Sequence, residues 1–149
     1  MKKIIFILFV ALVTISCKEA QKDAATESTE VSDETQAMFA DMQEEAMEAH
    51  DAIMPKMGDL MKLKKELSSI DADSPIIEEQ KMALQKAHDD MMSWMHSYSE
   101  KFPYEYELPE DAAIAAQKLE EMKVEKNSIV ALKKRTMNII AQAEELLEQ

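Results

Sequence analysis

The chain has 149 residues, with 17 Lys and Arg against 30 Asp and Glu, a net charge of −13. That balance excludes nucleic acid as a partner, because phosphate binding needs a basic face. A single Cys and a single Gly exclude an internal disulfide and glycine-rich phosphate loops.

Residues 1–16 read as an export signal. Lys2 and Lys3 make a basic start and Ile4 to Val13 an apolar run. The run falls short of the roughly 20 apolar residues a membrane-spanning helix needs. The ending Thr14-Ile15-Ser16-Cys17 resembles a bacterial lipobox. That resemblance implies removal of 1–16, acylation of Cys17 and a lipid-anchored protein of the cell envelope. Lys18, where an Asp would imply retention at the inner membrane, implies the outer membrane. An ordinary secretory signal with an idle Cys17 is the alternative. Without Lys2 and Lys3 the chain keeps 15 basic residues against 30 acidic ones, a net charge of −15. Anionic lipid would repel it, so the acyl chains must supply the hold. Residues 17–32 have almost nothing to bury and read as a flexible tether.

The remaining residues, 33–149, read as one helical domain. A first helix is expected from Asp33 to Ile70, capped by Ser32 or Asp33, with acids in its first turns. Phe39, Met42, Ala46, Ala49 and Ile53 alternate by three and four, which keeps them on one face. The seam breaks at Lys56 and resumes at Leu60, Leu63, Leu67 and Ile70. Pro55 lacks a backbone donor and crowds the carbonyl of Asp51, so a kink is expected there, beside Gly58. Residues 68–74 form a turn. Ser74 is expected to cap a second helix that has Pro75 at its first position and runs to about Phe102. Its apolar face holds Ile77, Leu84, His88, Met91, Met95, Tyr98 and Phe102.

Pro103 stops that helix, and Tyr104 to Leu108 form an extended link. Pro109-Glu110-Asp111 is expected to open a third helix, which runs nearly to the C-terminus. Its seam holds Ala115, Leu119, Met122, Ile129, Leu132, Ile139, Ala143 and Leu146. No segment reads as strand. The expected fold is all-α, an up-down-up three-helix bundle of long amphipathic helices. The lengths also permit a homodimer through the ends of the third helix.

One pattern occurs twice. Residues 49–57, A-H-D-A-I-M-P-K-M, match 87–95, A-H-D-D-M-M-S-W-M, at Ala, His, Asp and two Met. Pairing the first two helices antiparallel about a turn near residue 72 sets His50 against Trp94 and Met95. The same register sets Met57 against Ala87 and His88, and a looser second link puts Met122 near His88. His50, Met54, Met57, His88, Met92 and Met95 then form a candidate metal site. Thioether and imidazole together select Cu(I) over hard ions. Two other readings stand beside it. Met at helical spacing fills irregular gaps in a core, and flexible Met side chains also line grooves that take a partner helix. Exposure separates the three. A buried, convergent set favours metal, an exposed stripe favours a partner, and a buried set turned apart favours core.

No catalytic constellation is found. Di-iron bundles need Glu three before His, where this chain has Met47 and Gln85. His-Glu-x-x-His is absent. His50-Asp51 and His88-Asp89 are neighbours on a helix and are expected to point apart. His96 and the runs Lys62-Lys64-Lys65 and Lys133-Lys134-Arg135 read as solvated surface. With its signal, both His/Met motifs and its helical layout, the chain resembles small Met-rich helical lipoproteins of Bacteroidetes-type bacteria, sometimes labelled "viral A-type inclusion protein". The resemblance implies an envelope location and brings no activity or binding residue with it.

Overall fold

The computed structural model describes residues 30–70 and 74–148. The signal, Cys17 and most of the tether lie outside the described residues. Helix α1 spans Asp33–Ile53, and Ser32 caps it by accepting a hydrogen bond from Thr35 N at 3.2 Å. A single 3₁₀ turn, Met54–Lys56, contains Pro55 and leads into α2, Met57–Leu67. α2 stops one turn before the expected Ile70. The Ser68 and Ser69 hydroxyls donate to the carbonyls of Lys64 (2.9 Å) and Glu66 (2.6 Å) and so take up its last acceptors. Ile70 is left exposed.

Helix α3 spans Pro75–Lys101, and the preceding Ser74 makes no capping hydrogen bond with its side chain. Proline in the first turn suffices there, since its missing N–H is one the helix would leave unpaired. Helix α4 spans Ala112–Leu147. Asp111 is its cap, accepting from Ala113 N at 2.9 Å and Ile114 N at 3.0 Å. The expected opening at Pro109-Glu110 is corrected by that contact: both residues precede the helix.

The helices pack as a bundle around two adjoining apolar clusters. One joins Phe39, Ala46, Ala49 and Ile53 of α1 to Met91, Trp94, Tyr98 and Phe102 of α3 and to Met122, Ile129 and Leu132 of α4. The other joins Leu60, Leu63 and Leu67 of α2 to Ile77, Leu84 and Ala87 of α3 and to Ile140 and Ala143 of α4. Met57, at the start of α2, packs against both. Polar ties set the register of the faces. Gln80 Nε2 donates to Ile139 O at 2.6 Å, Lys64 Nζ to Gln85 Oε1 at 2.6 Å, and Lys126 pairs with Glu45 at 3.4 Å. Among the described residues there is no strand, and no helix is long and apolar enough to cross a membrane.

The link between α3 and α4 holds a tight turn in which Tyr106 N donates to Pro103 O at 3.0 Å. Glu105 sits third in that turn at φ 57, where glycine is the usual choice because a Cβ crowds the backbone. Glu105→Gly should therefore raise stability by about 0.5–1 kcal/mol. The steric relief of about 1–2 kcal/mol exceeds the extra flexibility that glycine gives the unfolded chain. Urea unfolding checks this, and a drop in midpoint would contradict it.

Candidate functional site

α1 carries the first His-Asp copy and α3 the second. The expected register holds at the first copy: the His50 and Trp94 rings lie 5.8 Å apart and tilted by 37°. Trp94 is in turn stacked on Tyr98 at 4.8 Å, and its Nε1 donates to Glu125 O at 3.2 Å. The indole thus links one imidazole of the motif to α4.

The adjacent carboxylates do not point away from the histidines, contrary to the expectation from helix geometry. His50 Nδ1 lies 2.9 Å from Asp51 Oδ1, and His88 Nδ1 lies 3.3 Å from Asp89 Oδ1. A carboxylate only accepts, so Nδ1 is the donor in both pairs. The lone pair of the neutral ring is then on Nε2, the arrangement by which a carboxylate prepares an imidazole to bind a metal. Among the described residues no hydrogen bond reaches either Nε2. Asp89 is held below the usual carboxylate range, chiefly by the Gln85 amide donating at 2.8 Å and then by His88.

The methionines divide by position. Met54 and Met92, four residues after each His, are 40% and 50% exposed. Met57 and Met95, seven residues after, are half-buried against the core clusters. Pro55 and Gly58 are exposed, and a Cβ at Gly58 would meet nothing within 4 Å, so that glycine answers no local crowding. Met122 is fully buried in the cluster that holds Trp94. Its expected place near His88 is corrected by the α3–α4 register. Trp94 meets Glu125 and Gln80 meets Ile139, so the residue level with His88 is near 131. Met122 lies about nine residues from there, roughly 13 Å at ~1.5 Å per residue. His96 pairs with Glu100 at 3.4 Å on the surface, as expected.

Sequence reasoning missed Glu125, whose side chain is only 6% exposed. One carboxylate oxygen takes a hydrogen bond from Lys101 Nζ at 2.5 Å and another from Ser97 Oγ at 3.4 Å. The residue lines an open α3–α4 groove of about 380 Å³, together with Ser93, Ser97, Ser128 and Arg135. The available signal was its place three residues after Met122 and four before Ile129, on the apolar face of α4. Tyr98 is core, as its place on the apolar face of α3 predicts, and among the described residues its buried hydroxyl has no hydrogen bond of ordinary geometry. Burial raises its pKa above 10.0, against a smaller opposing effect from Gln43. The folded state thus favours neutral Tyr98. That contribution is whole below pH 10 and is lost as pH rises through the raised value. Tyr98→Phe should blunt the alkaline loss of stability and be neutral or stabilising by up to about 1 kcal/mol at pH 7. Thermal melts at pH 7 and pH 11 check both parts.

Among the described residues no three His, Cys, Asp or Glu side chains converge as a metal-binding group. No family model, no curated protein and no solved structure matches the chain.

Proposed function

We propose that this is a non-catalytic lipoprotein of the bacterial cell envelope, acylated at Cys17, that binds Cu(I) through its two His-Asp-x-x-Met copies. The export signal and the likeness to small Met-rich helical lipoproteins support the envelope address, with the outer membrane favoured by Lys18. The observation that carries the metal reading is the same Nδ1–carboxylate contact in both copies, with no hydrogen bond to Nε2 among the described residues and a thioether four residues on. In this reading His50 and Met54 form one donor pair and His88 and Met92 another, with Met57 and Met95 as further soft donors. Thioethers carry no proton at neutral pH, so such a site suits an exported chain without a free thiol.

A second reading rests on a different observation. The exposure of Met54 and Met92 favours a Met-rich groove that takes an apolar helix of a partner protein or of a second copy. Competition against a Cu(I) chelator separates the two. It is done on the Cys17→Ser chain, which is expected to be unacylated and has no thiol, so binding falls on imidazole and thioether alone. Saturable Cu(I) binding that His50→Ala and His88→Ala each weaken tenfold or more supports the metal reading. Binding no stronger than that of the doubly substituted chain refutes it.

The helices in this proposal run up, down and up, with a functional bend at Pro55. The split of the first helical stretch at Met54–Lys56 and the double contact of Met57 support it. Pro55→Ala would restore a helix hydrogen bond, a change that gains up to ~3 kcal/mol when nothing depends on the kink. With Met57, the residue after the turn, packed against both clusters, the expected melting temperature is unchanged or lower. A clear rise would show the bend to be dispensable.

A further inference from the structure

The chain enters the bundle at a fixed place. Val31 N donates to Glu110 O at 2.8 Å, and Glu30 and Asp111 form an antiparallel bridge. The end of the tether is therefore pinned to the α3–α4 link. Twelve residues separate Cys17 from Glu30, thirteen steps that reach at most about 47 Å. α4 has 36 residues and is about 54 Å long at ~1.5 Å per residue. An anchor at Cys17 keeps the link end within that reach of the bilayer and leaves the opposite end free to stand away from it.

That link end carries an outward aromatic ring. Phe102 and Tyr106 pack on each other at 5.3 Å and on Phe39 at 5.6 and 5.8 Å. The turn between them, with Glu105 at positive φ, puts Tyr104 on the outside, 92% exposed. Ile114, in the first turn of α4, is exposed at the same end. A tyrosine with an apolar ring and a polar tip suits the headgroup level of a membrane. Glu105, Glu107, Glu110 and Asp111 of the link and Asp33 and Glu34 of α1 outnumber the cations at that end, Lys101 and Lys118, which are paired with Glu125 and Glu121. They repel anionic lipid and leave zwitterionic headgroups as the fitting surface.

We infer that Tyr104 seats in the zwitterionic headgroup layer of the membrane holding the chain's own lipid anchor, so that the bundle stands link end down. The inference rests on the acylation of Cys17 proposed above. In this posture His50, 17 residues along α1 from Asp33, lies about 25 Å from the seated end, facing the aqueous space.

The test uses the full acylated chain in vesicles of brominated phosphatidylcholine, which quench an indole on contact. The wild type has only the buried Trp94 and serves as the unquenched reference. Tyr104→Trp places a second indole at the tip. Its emission should fall by half or more in brominated vesicles and recover when about a third of the lipid is anionic phosphatidylglycerol. Flotation with the vesicles reports the anchor separately. A chain that does not float refutes the acylation reading and the inference with it. A chain that floats while the tip indole stays unquenched overturns the inference alone and leaves the loop to a soluble partner. Quenching that persists with anionic lipid overturns the assignment to a zwitterionic surface.

Discussion

Trp94→Ala should lower the stability of the domain by about 3–5 kcal/mol, the range for removing a large aromatic side chain from a core. The residue is 6% exposed and belongs to the apolar cluster shared by α1, α3 and α4. Its loss removes the stack on Tyr98 and the contact with the His50 ring. It also leaves the Glu125 carbonyl without its indole donor, beside a carboxylate that is itself buried. Alanine cannot fill the space, and three helices meeting at one side chain cannot all close over it. A total stability of about 5–15 kcal/mol is ordinary for a domain, so this one change removes a large share. Urea unfolding followed by circular dichroism measures it. A loss below about 1 kcal/mol would show that the indole is not what joins α4 to the other helices.

Met54→Leu with Met92→Leu should abolish most Cu(I) affinity, by tenfold or more, and leave melting unchanged. Both side chains are exposed, so neither exchange disturbs a packed core. Even within a core, Met-to-Leu swaps usually cost less than ~1.5 kcal/mol. What disappears is the soft donor four residues after each imidazole. Met57→Leu with Met95→Leu is the companion variant, and it changes half-buried positions against the clusters. If the half-buried pair supplies the ligands, the second variant loses affinity and the first does not. Trp94 is the only tryptophan and lies 5.8 Å from the His50 ring, so a metal on His50 should quench its emission. Equal Cu(I) binding by wild type and both variants would mean that the methionines are not ligands. Weaker capture of an apolar helical peptide by the first variant, with copper irrelevant, would favour the partner groove.

One contact of the candidate site was legible. The repeat of Ala-His-Asp with its spaced methionines picked out both histidines, and counting back from the turn set His50 against Trp94, where the rings meet. Its chemistry was less legible. The His50–Asp51 and His88–Asp89 contacts arise from side-chain torsions between neighbours, and helix periodicity says nothing about those. Exposure also escaped the pattern. Met54 and Met57 are three apart on one stripe, yet one faces water and the other the junction of two clusters. Which edge of a stripe a neighbouring helix covers depends on that neighbour.

Local pattern alone makes the described chain helical and marks where most of its core faces lie. A 3.6-residue period is a local property of one segment, and Pro75, Ser32 and Asp111 act within a turn of their own positions. Phe39, Ala46, Ala49 and Ile53 are all buried as that period requires. What stands opposite what on α4 is set by packing between helices. A link of ten residues leaves the register free, so Met122 came to rest about two and a half turns from the level of His88. The same packing buries Glu125. A carboxylate in a core is tolerable when a cation answers it, and Lys101 does so from another helix, 24 positions away in the chain. Such a partnership is a matter of which helix faces which, and no local pattern records it.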